Sequence, residues 1–252
     1  MTHESQTITQ QEIELTISGE ESELRTPDGL VVKINSPEAF RGFFSVENLD
    51  KPALIILSGT SESGKSTFGK LSVELGIGHR LKIYKAVREL AEAGKLPNID
   101  ELNPFDYASW LESDESLTRR ASQEISSKYI QLMQETDVPI GVAETIKHPW
   151  MVTELKKIPT IKTLSLFIDA DLNRRVDREV IKTGRDVQEV RYSVSEKDRW
   201  KETFGTAKVK DLSDVVIVND GNYETYIRFV KSFLELLRRR SKPYSGIARE
   251  YS

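Results

Sequence analysis

Cysteine is absent from the 252 residues, so disulfides, thiolate metal sites and a cysteine nucleophile are excluded. Long apolar runs are missing too. Ala53 to Leu57 is typical of the longest, far short of the roughly 20 residues a membrane helix needs. The opening Met1-Thr2-His3-Glu4-Ser5 is polar and lacks the basic and apolar regions of a secretory signal, which leads to the expectation of a cytoplasmic protein with no membrane partner. Charge of one sign is also lacking: 36 Lys and Arg stand against 40 Asp and Glu, for a net charge of −4. No global basic field argues for nucleic acid as a partner, and only a local basic cleft stays open. His3, His79 and His148 share no metal-ligand spacing, so no zinc site is expected.

What is present suits a packed soluble chain, with 38% hydrophobic and 30% charged residues. Residues 1–50 read as a tail followed by a small β-appendage. Ile13, Leu15 and Ile17 alternate with polar neighbours, Thr26-Pro27-Asp28-Gly29 is a turn sequence, and Leu30 to Ile34 reads as a further strand. Ser36-Pro37 opens a short helix, with Ser as cap and Pro in its first turn. Residues 51–240 then alternate strand and helix, and 241–252 form a tail. Strands are expected at Ala53–Leu57, Arg80–Ile83, Pro139–Ala143, Thr163–Phe167 and Asp214–Val218. Residues 96–115 read as a long excursion. An amphipathic helix follows at 115–135, and the closing helix presents Tyr223, Ile227, Val230, Phe233 and Leu237 on one face. Five strands separated by helices imply a doubly wound parallel α/β sheet, with the β-appendage packed on it.

The segment Gly59-Thr60-Ser61-Glu62-Ser63-Gly64-Lys65-Ser66 satisfies G-x-x-x-x-G-K-[ST], directly between an apolar strand and a helical pattern. Glycines let the backbone fold around a phosphate so that successive N–H groups point inward, and the helix start adds its unpaired N–H groups. The segment from Gly59 to Thr67 is therefore the candidate nucleotide cradle. Lys65 is assigned to the β and γ phosphates, and the Ser66 hydroxyl to Mg²⁺. A glycine-bearing turn that binds nothing seldom carries Lys-Ser at these two positions.

Several P-loop classes lack their signatures here. There is no Asn-Lys-x-Asp of a GTPase, no Leu-Ser-Gly-Gly of a transporter ATPase and no H-R-D loop of a protein kinase. Residues 53 to about 235 instead resemble the nucleoside monophosphate kinase-like group, particularly dephospho-coenzyme A kinases and phage-type deoxynucleoside monophosphate kinases. The resemblance is carried by the P-loop, by His79-Arg80-Leu81-Lys82-Ile83, by Phe167-Ile168-Asp169-Ala170-Asp171 with Arg174, Arg175 and Arg178, and by Ser213 to Gly221. Residues 1–50 and the excursion at 96–115 depart from it. It implies five parallel strands, ATP with Mg²⁺, an acceptor region after the second strand, and a mobile helical lid at about 179–208. It also implies that Asn219 and Gly221 face the adenine edge.

Among the lid cations Arg178, Arg185, Arg191, Lys197, Arg199 and Lys201, Arg178 and Arg191 are the candidates for stabilising the transferring phosphoryl group. Ion-paired surface charge is the alternative for any one of them. Glu144 stands at the C-terminal end of a strand, where open α/β sheets bind ligands. It could accept a proton from the acceptor or hold a magnesium-bound water, or simply complement a helix dipole. Arg80, Lys82 and Lys85 are candidates for the acceptor's anionic group, or else solvated cations. Trp110, Trp150 and Trp200 read as packing residues. Together these readings point to an ATP-dependent phosphotransferase acting on a small nucleotide or nucleotide-like acceptor. A 5′-hydroxyl polynucleotide kinase and a non-catalytic ATP-binding regulatory module are the alternatives.

Overall fold

The computed structural model describes residues 22–45, 48, 51–96 and 115–242. The expected strand around Ile13 to Ile17, Trp110 and most of the 96–115 excursion lie outside the described residues. The strands are β1 (Glu23–Arg25), β2 (Leu30–Ile34), β3 (Ala53–Gly59), β4 (Gly78–Lys82), β5 (Ile140–Glu144), β6 (Lys162–Asp169) and β7 (Val215–Asn219). They form one sheet in the order β1-β2-β7-β6-β3-β5-β4. The helices are α1 (Pro37–Phe43), α2 (Lys65–Glu74), α3 (Ile83–Glu92), α4 (Glu115–Thr136), α5 (Pro149–Lys156), α6 (Leu172–Thr183), α7 (Val187–Glu202), α8 (Thr206–Asp211) and α9 (Tyr223–Arg239).

The five expected parallel strands are β3 to β7, each parallel to its neighbours within that set. β3 lies between β5 and β6, and every one of its residues is buried. A strand covered on both faces has no solvated side, hence its unbroken apolar run. Ala53, Ile55 and Leu57 face the layer formed by α1, α2 and α9, where Phe40, Phe43, Phe68, Phe229 and Phe233 pack. Leu54 and Ile56 face the layer of α3, α4 and α5, among Leu90, Ile125, Tyr129, Met133 and Leu155. The fold is thus a three-layer α/β sandwich. After β3 the chain builds β4 and β5 on one side, then crosses to β6 and β7 on the other. The C-terminal end of β3 is therefore the switch point at which such sheets open a crevice.

The N-terminal segment differs from expectation. Its helix α1 packs on the sheet through Phe40 and Phe43, but its strands extend the sheet: β2 runs antiparallel to β7, with Leu30 opposite Asn219 and Ile34 opposite Val215, and β1 runs antiparallel to β2. A period-2 pattern announces a strand without naming its partner, so the sheet has seven strands rather than five. Ser36 precedes α1 as expected but makes no capping hydrogen bond, and Pro37 in the first turn marks the helix start instead. On α9, Val230, Phe233 and Leu237 are buried, whereas Tyr223 is 67% exposed. The buried stripe is carried instead by Tyr226, Phe229, Val230, Phe233, Leu234 and Leu237.

α6 and α7 form a helical hairpin beside the end of β3. Gly184, at φ 68, ends α6, and the Asp186 carboxylate accepts N–H bonds at the start of α7. The pair has a small apolar cluster of its own, Val176, Val190 and Val194 with Leu172 and Val180, separate from the two sheet faces.

Candidate nucleotide-binding site

The phosphate loop occupies the switch point. Its first residue is constrained to glycine: Gly59 has φ 140, and a Cβ there would lie 1.9 Å from the Ile168 carbonyl oxygen of β6. The loop is laced from several sides. Thr60 donates its hydroxyl to Asp169 at 3.1 Å. The Ser61 N–H donates to Asp198 of α7 at 2.7 Å. The Asn219 amide donates to the Ser63 carbonyl at 2.8 Å, and the Tyr226 hydroxyl to the Gly64 carbonyl at 3.0 Å. Lys65 folds back, its ammonium on the Thr60 carbonyl. Burial and the nearby Lys201 push the Lys65 ammonium well below its ordinary pKa.

Because β5 neighbours β3, with Leu57 opposite Glu144, the Glu144 carboxylate meets the first turn of α2. Ser66 Oγ donates to Glu144 Oε1 at 2.8 Å, and Arg80 of β4 pairs with Glu144 Oε2. Glu144 is 1% exposed. Burial alone would raise its pKa, but hydrogen bonds from Arg80 and Ser66 and the Arg80 charge outweigh that, so the carboxyl lies below its ordinary value. The chain turns sharply at Thr145, a β-branched residue held at φ 70 with its N–H on the Leu57 carbonyl at 2.9 Å. Such a conformation is strained for threonine, and here it lies on the wall of the site.

Loop, Glu144, the α6–α7 hairpin and the start of α9 enclose a cavity of about 840 Å³. Seven cations line it (Lys65, Lys70, Lys147, Arg178, Lys182, Lys197 and Lys201) against three acids, Glu62, Glu144 and Glu179. In a chain of net charge −4 this is a concentrated positive pocket, suited to a polyanion. Lys201 donates to the Gly59 carbonyl at 3.2 Å, and burial, only partly countered by Asp198 and Glu62, lowers it to about 8. Glu62, at φ 56, reaches Lys197 at 3.1 Å and Lys182 at 3.9 Å, tying the loop to both hairpin helices. Arg175, 6% exposed, pairs with Asp198 and donates to the carbonyls of Ser61 and Ala170 at 3.0 and 2.9 Å.

Other candidates are placed as follows. Arg178 lines the cavity and donates to the carbonyls of Asn219 and Gly221, 2.8 Å in each case. Arg191 points elsewhere, to the Asn173 side chain at 2.7 Å, and Arg185 and Arg199 pair locally with Glu189 and Glu196. Arg80 joins the site through Glu144. Lys82 is exposed at the end of β4, and Lys85 pairs with Glu89 at 3.8 Å, away from the cavity. Lys147, Lys182, Asp198 and Tyr226 escaped the sequence reading, since nothing in their local sequence marks convergence, and Tyr223, read as part of the face of the closing helix, lines the cavity. Trp200, read as packing, also lines the cavity, with the Lys147 ammonium 3.6 Å from its ring centroid.

The donor set fits Mg²⁺. Ser66 and Glu144 offer hard oxygens side by side, and magnesium takes one or two protein oxygens and completes its shell with phosphate and water. Among the described residues no group of three or more His, Asp or Glu is placed to hold a metal ion by itself.

Strand order, switch point and loop together define a P-loop protein of the doubly wound α/β class. No known family model matches the chain. It is 28% identical over 187 residues to a UPF0200/UPF0201 protein of Archaeoglobus fulgidus, covering 72% of this chain and 54% of that protein, so it spans about half the length of that relative. It is 27% identical over 180 residues to a UPF0200 protein of Pyrococcus abyssi, covering 71% of this chain and 93% of that one. Similar solved structures include TT1252 from Thermus thermophilus (18% identity, TM-score 0.48, 75% of this chain and 99% of that one). They also include a shikimate kinase from Bacteroides thetaiotaomicron (14% identity, TM-score 0.44, 73% and 98%). Among the described residues no helix is long and apolar enough to cross a membrane.

Proposed function

We propose that the chain is an ATP- and Mg²⁺-dependent kinase of a small nucleotide or nucleotide-like acceptor, of the kind the resemblance to dephospho-coenzyme A and deoxynucleoside monophosphate kinases implies. The observation that carries this reading is the contact of Ser66 with Glu144, itself paired with Arg80, beside a phosphate loop under a cationic helical hairpin.

In the reaction an acceptor oxygen (a phosphate oxygen of a nucleoside monophosphate, or a hydroxyl of a dephospho-coenzyme A-like molecule) forms a bond to the γ-phosphorus while the bond from that phosphorus to the β,γ-bridging oxygen breaks. A hydroxyl acceptor gives its proton to water or to a carboxylate, a phosphate oxygen has none to give, and ADP departs with the bridging oxygen. Bound at Ser66 and Glu144, Mg²⁺ would supply charge neutralisation of the phosphates. Lys65, released from the Thr60 carbonyl, would reach the transferring group. Cations of α6 and α7 would close over it as a lid, excluding water so that transfer outcompetes hydrolysis. A Glu144 carboxyl held below its ordinary pKa is a weak proton acceptor, which favours a role in holding the metal shell and orienting the acceptor over one as lasting base. The cationic surplus of the cavity favours an acceptor that is itself anionic.

The test is ADP release from ATP and Mg²⁺ across nucleoside and deoxynucleoside monophosphates, dephospho-coenzyme A and 5′-hydroxyl oligonucleotides. Turnover dependent on one of the small acceptors supports the reading. Turnover on oligonucleotides alone would replace it with a polynucleotide kinase, and ATP binding without turnover on any acceptor with a nucleotide-dependent regulator.

A further inference from the structure

The turn of the N-terminal hairpin abuts the β7–α9 loop, whose first residue, Asn219, lines the cavity. That turn, between β1 and β2, carries Asp28, whose Oδ2 accepts the Asn222 N–H at 3.0 Å and whose Oδ1 accepts the Thr26 hydroxyl at 2.6 Å. The fit between turn and β7–α9 loop is close. A Cβ on Gly221 would lie 3.1 Å from the Leu30 nitrogen and 3.2 Å from Asp28 Oδ2. Leu30 is in register with Asn219 across the β2–β7 pair. From the opposite side Arg178 grips the same loop through the carbonyls of Asn219 and Gly221. Asn222, fixed by Asp28 through its N–H, caps α9 by accepting the Thr225 N–H at 2.8 Å. The loop of residues 219–222 is therefore held between the hairpin turn and α6. Its first residue, Asn219, lines the cavity and holds the phosphate loop through the Ser63 carbonyl.

We infer that Asp28 is a positioning residue for nucleotide binding. It fixes the 219–222 loop as the wall against which the nucleoside end of ATP rests, and this gives the antiparallel extension of the sheet its role. The inference rests on the nucleotide reading of the cavity. Asp28 touches no ligand; it acts through Asn222 and Gly221. Asn219, paired with Leu30 at the end of β7, keeps its hold on the Ser63 carbonyl without Asp28. The effect should therefore fall on the nucleoside end of the ligand and spare the phosphates, which the loop from Gly59 to Thr67 holds by its own N–H groups.

The experiment is calorimetric titration of the full chain with ATP and, separately, with inorganic tripolyphosphate, both with Mg²⁺. Asp28→Ala is expected to weaken ATP about tenfold while tripolyphosphate changes by less than about twofold. Asp28→Asn should restore ATP binding, since its amide oxygen can still accept the Asn222 N–H while its NH₂ donates to the Thr26 hydroxyl oxygen. Gly221→Ala keeps the carboxylate but wedges turn and loop apart, and should reproduce the ATP-selective loss if Asp28→Ala does not fold. Unchanged ATP affinity in the Asp28→Ala or Gly221→Ala protein would overturn the inference and leave the P-loop reading standing. Equal loss of both ligands would overturn it as well, marking Asp28 as general scaffold. Wild-type protein that binds neither ligand would instead refute the nucleotide reading and take this inference with it.

Discussion

Ser66 Oγ and Glu144 Oε1 lie 2.8 Å apart, although 78 positions separate them in the chain. The contact exists because β5 pairs beside β3, which brings a strand-end carboxylate onto the first turn of the P-loop helix. It joins the phosphate loop to the β5 side of the cavity, where the proposed acceptor would lie. Arg80, on the other carboxylate oxygen, extends the link to β4.

Breaking this link should be costly. Glu144→Ala leaves the mostly buried Arg80 guanidinium unpaired and is expected to lower stability by about 3 kcal/mol in urea denaturation. The pH dependence has a definite sign. The Glu144 pKa is depressed below 4.5 in the folded state, so its stabilising contribution is full above that value and is lost as pH falls through the folded pKa. An Ala variant as stable as the parent would show the pair to be dispensable.

Lys65 is buried, and burial pushes its ammonium down, so the folded protein gains little from that charge. Lys65→Met should keep the thermal midpoint of the parent or exceed it, while ATP turnover falls by about a hundredfold or more. A variant with lost activity and a collapsed midpoint would mark Lys65 as structural.

Lys201 titrates at about 8 when folded, against 10.5 in its ordinary state. Between those values the unfolded chain holds the extra proton. Stability therefore rises with pH through the window, and the unfavourable contribution is full below about 8. A polyphosphate beside the ammonium reverses the shift, so binding should take up a proton just above pH 8 and weaken as pH climbs further. Calorimetry in two buffers of different ionisation enthalpy measures that uptake, and Lys201→Met should reduce it, any remainder coming from Lys65, whose ammonium is lowered in the same pocket.

The α6–α7 hairpin has its own small cluster around Val176, Val190 and Val194. Val194→Ala should destabilise the hairpin locally by roughly 1–2 kcal/mol. Hydrogen exchange would then quicken across 172–202 and stay unchanged in β3 and β6. Uniform acceleration over the sheet would show that the hairpin does not open as a separate unit.

How much of this could be read in advance follows from where each signal resides. The phosphate loop is contiguous, and its glycine and Lys-Ser spacings are dictated by phosphate geometry, so Gly59 to Ser66 stood out at once. Glu144 could be found because a strand end is a position in the pattern. By contrast, Lys147, Lys182 and Tyr226 reach one cavity from three different segments, and only the fold brings them together. Arg178 and Arg191 looked alike as lid cations. Helical phase turns one onto the 219–222 loop and the other onto Asn173. Nor does a strand pattern at Leu30 to Ile34 specify the edge of β7 as its partner, or place Asp28 against Asn222.

The most direct measurement follows the label of γ-radiolabelled ATP with Mg²⁺ and each candidate small acceptor, in the parent and in Lys65→Met. Label appearing in a phosphorylated acceptor, with little inorganic phosphate and with loss of transfer in the variant, is the predicted result. Label found only in inorganic phosphate, or retained in ATP with every small acceptor, would contradict the assignment of this site to a small-molecule kinase.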